Sequence, residues 1–119
     1  TTAVDSGPVI HPQNFEGQLE GGMDQGVGYA LREEYVHGKT RDWVTFKYPT
    51  MKTAFEMEIL PPRETPQKNG TLGETGIGEL TMTSTAPAVI DAIKDACGVR
   101  IFDLPATPGK IKTALAKGK

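Results

Sequence analysis

The sequence predicts an α+β fold in which helices pack on a small mixed sheet. Three observations lead there. Phe15, Leu19, Met23, Val27 and Leu31 recur at helical spacing, and Phe55 to Leu60 alternates apolar and polar residues as a half-buried strand does. The predicted elements then run strand, helix, two strands, loop, helix, strand, helix. Two paired strands alone are marginal, so the sheet is expected to draw strands from outside this chain.

Val4 to Ile10 reads as a short strand broken at Ser6-Gly7-Pro8, and Pro12 biases His11 toward an extended or turn conformation. Asn14 is the expected cap of a helix running from about Phe15 to Tyr35. Gly17, Gly21, Gly22, Gly26 and Gly28 lie inside it. Each costs roughly 1 kcal/mol against alanine, a cost tolerated where another backbone or a ligand lies close. His37-Gly38-Lys39 makes a turn. Asp42 to Tyr48 alternates as a strand until Pro49, and Phe55 to Leu60 forms a second one that Pro61-Pro62 ends. Ser84 or Thr85 caps a helix with Pro87 in its first turn and Val89, Ile90, Ile93 and Cys97 as its apolar stripe. Gly98 suits its C-terminal cap. Val99 to Leu104 reads as a strand, and Thr107-Pro108 opens a last helix bearing Ile111 and Leu115.

The 119 residues suffice for one modest domain, with 37% apolar and 24% charged residues as in an ordinary soluble protein. A net charge of −2 gives no electrostatic support for nucleic-acid binding. Lys110, Lys112, Lys117 and Lys119 read as a solvated helix face. The single cysteine, Cys97, excludes an intrachain disulfide framework and a cysteine-based metal site, and reads as a structural thiol. No apolar run is long enough for a membrane-spanning helix, and no signal peptide is visible, so a cytoplasmic location without membrane contact is expected. The first residue is Thr1, not Met, and the opening reads as a strand leaving something upstream. The chain is therefore expected to be a piece of a larger protein.

The feature richest in chemistry is Gly73-Glu-Thr-Gly-Ile-Gly-Glu79. Glycines let backbone approach a bound group closely, and a carboxylate beside them can take a proton. Glu74 and Glu79 compete for that role. Spacing favours Glu79, which directly precedes the apolar segment leading into a helix. Gln18 and Gln25 lie seven residues apart on the long helix, and an amide offers both a donor and an acceptor to a heterocycle or oxo group. His11 and His37 lack partners at metal-ligand spacing, so no metal held by protein side chains is predicted. The glycine spacing is wrong for a dinucleotide fingerprint, and a P-loop lysine is absent.

Taken in order, the motifs resemble a known family. Val4-Asp-Ser-Gly-Pro-Val-Ile-His-Pro-Gln13, Glu16 to Leu31, Phe46-Lys-Tyr-Pro-Thr50, Gly73 to Glu79, Pro87 to Ile93 and Gly98 to Ala106 are similar to the C-terminal molybdopterin-binding region of the xanthine oxidase and aldehyde oxidoreductase family. The likeness covers essentially the whole chain. It implies that residues 1–119 are the C-terminal segment of a molybdenum-cofactor-binding domain. By position, Glu79 matches the family's general base beside molybdenum, which takes the proton of the hydroxyl that attacks an electrophilic carbon. The resemblance decides for Glu79 over Glu74. Gln18 matches a glutamine that hydrogen-bonds the pterin, and Gly76, Ile77 and Gly78 match backbone passing beside the metal. Many members carry Ala-Lys where this chain has Glu74-Thr75, so the lysine is absent here and Glu74 adds negative charge.

The resemblance also implies what lies elsewhere. The pterin dithiolene holds the metal, most of the pocket comes from upstream polypeptide, and iron–sulfur clusters, often with FAD, accept electrons on partner domains or subunits. The isolated chain is expected to be inactive. The whole protein is expected to oxidise an aldehyde or an N-heterocycle with water as the oxygen source. The alternative reading is a non-catalytic module that pairs with a partner subunit through its glycine-rich helix and unfinished sheet.

Overall fold

The computed structural model describes residues 1–118 and is helical. Helix α1 spans Pro12–Leu31, α2 Trp43–Phe46, α3 Leu80–Cys97 and α4 Pro108–Lys117, with a 3-10 turn at Met51–Thr53. The predicted mixed sheet is absent among the described residues. Pairing is confined to two isolated parallel bridges, Thr2 with Ile59 and Asp5 with Arg63. The extended segments at 2–6 and 58–63 lie side by side, joined by Thr2 N–H to the Glu58 carbonyl at 2.9 Å and Arg63 N–H to the Val4 carbonyl at 3.0 Å. They are too short and too poorly flanked to grow into a ladder.

Other elements also depart from the sequence reading. Asp42 to Tyr48 is not a strand. Asp42 Oδ1 accepts the Thr45 N–H at 2.8 Å, and Thr45 Oγ1 accepts the Asp42 N–H at 3.1 Å. This reciprocal cap closes a helical turn, which ends at Lys47 in the left-handed region, φ 66°. Local side-chain bonding outweighs a short alternating pattern. Val99 to Leu104 finds no strand to pair with and instead carries Ile101 into the core. The long helix is capped by His11 rather than Asn14, whose N–H donates to His11 Nδ1 at 3.2 Å, and Pro12 occupies its first turn.

Helix α3 starts at Leu80, not at Ser84 or Thr85, and takes Pro87 into its interior. Proline removes one backbone donor there. The preceding turn is reinforced by hydroxyls: Ser84 Oγ and Thr85 Oγ1 donate to the Thr81 carbonyl at 3.2 and 2.7 Å, and Thr83 Oγ1 to that of Leu80 at 2.7 Å. The helix closes on Gly98 at φ 77°, as read from the sequence. So does α4 open on Thr107, whose hydroxyl caps the Lys110 N–H.

The α1–α3 contact explains part of the glycine content. A Cβ on Gly22 would run into Thr81 Oγ1, and one on Gly26 would meet Thr85 Cβ at 2.6 Å. Thr81 is buried, and its hydroxyl donates to the Leu19 carbonyl at 3.3 Å. Leu19 is fully buried in the same contact. At Gly22 and Gly26 the close neighbour is therefore another helix, not a sheet or a ligand. Gly17 and Gly21, by contrast, have no neighbouring atom within 4 Å of a Cβ. Gly22→Ala is expected to destabilise the protein by roughly 1–3 kcal/mol through overpacking, whereas Gly21→Ala leaves the α1–α3 contact untouched. Urea unfolding of the two variants side by side checks this.

A second cluster lies at the far end of α3. Ile90, Ile101 and Ala106 are buried there, with Leu31, Ile93, Leu104, Ile111 and Ala114 packed around them. At the end of α1, Glu33 folds back on Gly28 and Pro49. Its Oε1 is buried without a hydrogen-bond partner, and burial, reinforced by Asp24, pushes the carboxyl above its ordinary range. No helix among those described is long and apolar enough to cross a membrane.

Candidate functional site

The loop from Gly70 to Glu79 is built against the N-terminal segment. Gly7, at φ +65°, lies directly under Gly73, and a Cβ there would run into the Gly73 carbonyl oxygen. Thr75 N–H donates to the Ser6 carbonyl at 2.8 Å, and Gln67 N–H donates to that of Gly73 at 2.8 Å. Asp5 ties down the same region, with Oδ1 accepting from Thr65 N–H at 3.1 Å and Gly7 N–H at 3.3 Å. The hydrogen bonds from Thr65 hold its carboxyl below its ordinary range.

Glu74 serves the loop itself. It is half-buried, and its Oε2 accepts the Leu72 N–H at 2.7 Å. Its own backbone N–H, then that of Leu72, holds the carboxyl below its ordinary value of 4.5. The sequence reading weighed it against Glu79 as the loop's base. A depressed carboxyl stabilises the fold above its unfolded pKa, and that contribution is lost as pH falls through the folded value. Between pH 5 and 3 the thermal midpoint of the wild type is therefore expected to fall more steeply than that of Glu74→Gln. Parallel melting curves test it.

Gln18 and Ile77 line one groove of about 210 Å³, together with His11, Asn14, Glu74 and Thr75. It forms where the start of α1 meets the loop. Gly76, Gly78 and Glu79 are exposed beside it. A Cβ on Gly76 or Gly78 would meet no atom within 4 Å, so neither glycine is required by packing inside this chain. Among the described residues the backbone N–H groups of Gly76, Ile77, Gly78 and Glu79 have no acceptor, while Leu80 N–H reaches the Ile77 carbonyl at 3.3 Å. Glu79 stands at the N-cap of α3, but its side chain makes no capping bond. It does not line the groove. Thr81, two residues on, bonds to the carbonyl of Leu19, the neighbour of Gln18, so the two segments run side by side.

Gln25 does not join the groove and is half-buried on α1. No group of three or more His, Cys, Asp or Glu side chains among the described residues could hold a metal ion. His11 and Asn14 are groove residues to which the sequence reading gave no binding role. Their signal was local: a histidine before proline, three residues ahead of an asparagine, at a helix start.

Residues 1–55 match the family model described as a molybdopterin cofactor-binding domain. Over 97% of its length the chain is 37% identical to an aldehyde oxidoreductase of Megalodesulfovibrio gigas. The chain belongs to the xanthine dehydrogenase and aldehyde oxidoreductase family. It is also 35% identical, over 92% of its length, to the nicotine 6-hydroxylase large subunit of Paenarthrobacter nicotinovorans. It spans only 13% and 14% of those two family members. The crystal structure of the aldehyde oxidoreductase from Desulfovibrio desulfuricans matches with a TM-score of 0.87 at 38% identity, over 93% of this chain and 12% of that one.

Proposed function

We propose that this chain is the C-terminal segment of the molybdopterin-binding domain of a molybdenum hydroxylase, and that it contributes the general base and part of the pterin site. The observation that carries the reading is the open loop Gly76–Glu79. It offers free backbone donors and glycines that nothing in the chain fills, beside a groove walled by Gln18. These features fit a bulky, oxygen-rich, anionic group. Glycine leaves room for it, backbone N–H groups and the start of α3 favour negative charge, and the amide can donate and accept at a heterocycle edge.

In this reading Gln18 hydrogen-bonds the pterin, and Gly76, Ile77 and Gly78 form backbone that passes beside the metal. When bound, the molybdenum–molybdopterin group supplies two-electron redox chemistry. Glu79 takes the proton from the oxygen nucleophile, water being the source of that oxygen, and must be ionised to do so. Its exposure in these 119 residues leaves its carboxylate open to a site whose other walls come from the rest of the polypeptide. The substrate class is an aldehyde or an N-heterocycle, with the overall likeness to aldehyde oxidoreductases favouring the former. Iron–sulfur clusters, with or without FAD, on other domains or subunits carry electrons away. The segment alone is expected to be inactive.

Metal analysis and pterin extraction of the complete native protein test the reading. About one molybdenum and one molybdopterin per polypeptide are expected, and a protein purified with neither would contradict it.

A further inference from the structure

The span that ends in Glu79 carries few restraints of its own. Leu80 N–H reaches the Ile77 carbonyl at 3.3 Å, and the Ile77 side chain is half-buried. Beyond that, a Cβ on Gly76 or Gly78 would meet nothing, and the Glu79 side chain makes no capping bond. Where the span lies is therefore set by what holds its two ends. Downstream the anchor is Thr81, 1% exposed and bonded to the Leu19 carbonyl on α1. Upstream it is Thr75, whose N–H donates to the Ser6 carbonyl at 2.8 Å. Ser6 is buried, and its own N–H donates to the Arg63 carbonyl at 3.2 Å.

The turn that delivers Thr75 to Ser6 is closed by Glu74. Gly73 N–H donates to the Gly70 carbonyl at 3.2 Å, and Glu74 Oε2 accepts the Leu72 N–H inside that turn at 2.7 Å. Gly70 makes room for the arrangement, since a Cβ there would meet the Glu74 nitrogen at 2.7 Å and Oε2 at 3.0 Å. A bond from a backbone N–H to a carboxylate is charge-assisted, about twice as strong as a neutral one. Gly73, in the middle of the turn, is seated against Gly7 and Pro66. The carboxylate thus fixes the turn, the turn fixes Gly73 and Thr75, and Thr75 fixes the upstream end of the span that carries Glu79.

We propose that Glu74 is a positioning residue: its carboxylate clasps the turn at 70–74 and, through Thr75, holds Glu79 where it takes its proton. The proposal rests on the reading of Glu79 as the base. Glu74 itself moves no proton. Misplacing a reacting group by about 1 Å can cost on the order of 10²-fold in rate, so a loosened upstream anchor acts on turnover and not on substrate affinity.

Two variants of the complete protein test it. Glu74→Leu fills similar space without an acceptor, and Glu74→Gln keeps one. With benzaldehyde as the substrate and rates expressed per molybdenum, Glu74→Leu should lower kcat by about 10–100-fold. Its KM should stay within about twofold of wild type, and Glu74→Gln should retain most of the rate. In a Glu79→Gln background Glu74→Leu should cost little further, because the group it positions is no longer a base. Hydrogen exchange over residues 71–75, read by mass spectrometry, gives a measure independent of turnover. It should be roughly ten-fold faster in Glu74→Leu, with Glu74→Gln close to wild type. Should the leucine variant fail to accumulate, Glu74→Asp replaces it, keeping the charge but one methylene short of Leu72. Unchanged exchange, unchanged kcat, a raised KM with kcat intact, or a loss of the same fold in the Glu79→Gln background would each overturn the proposal. Wild-type protein without molybdenum, or without turnover of benzaldehyde, would count against the family reading or its substrate class alone, and the exchange comparison would still decide the clasp.

Discussion

Glu79→Gln in the complete protein is expected to lower hydroxylation by about 10²–10⁴-fold, the usual contribution of a positioned general base, while molybdenum and pterin contents stay at wild-type levels. Glutamine keeps the shape and a hydrogen-bonding oxygen but cannot accept the proton. The substitution is structurally mild, because the Glu79 side chain makes no capping bond and is exposed. Single-turnover rates alongside metal and pterin analysis check both halves. Near-normal turnover would reject the assignment of the base.

Gly7→Ala is expected to have the largest structural effect. Gly7 is buried at φ +65°, where a side chain costs about 1–2 kcal/mol. The added methyl would also meet the Gly73 carbonyl oxygen, a backbone atom with little freedom to retreat. Gly73 is itself at φ +83°, packed on Pro66, and its carbonyl accepts the Gln67 N–H. Overpacking of this kind adds roughly 1–3 kcal/mol. Because Gly73 begins the run that ends in Glu79, cofactor content should fall along with stability. Gly38→Ala separates the two contributions: Gly38 is at φ +76° with open space around it, so only the backbone cost applies. Urea unfolding and molybdenum content, measured on both variants, give the comparison.

Helix ends and apolar stripes were legible in the chain because they depend on neighbouring residues. Thr107-Pro108 marks the start of α4, Gly98 the end of α3, and Phe15, Leu19 and Met23 are the buried face of α1. The sheet differs from the sequence reading because alternation at Asp42 to Tyr48 competes with a cap that only an Asp-x-x-Thr pairing reveals, and because the extended segments at 2–6 and 58–63 form no more than two isolated bridges. Periodicity cannot tell a strand that pairs from an extended segment that does not. The site divides in the same way. The glycine loop and its acids stand out in the sequence, and Gln18 gained its role from the family resemblance. His11 and Asn14 stand beside Gln18 at ordinary helix spacing, but the neighbourhood of Gln18 with Glu74 and Ile77 arises from the approach of Ser6 to Thr75, a contact between distant parts of the chain that no local pattern encodes.

The most direct test is a crystal structure of the complete protein with its cofactor bound. The Glu79 carboxylate is expected to face the molybdenum, with the Gln18 amide hydrogen-bonded to the pterin and the backbone of Gly76 to Gly78 running beside the metal. A structure in which Glu79 points into bulk solvent, away from the pterin, would contradict the account.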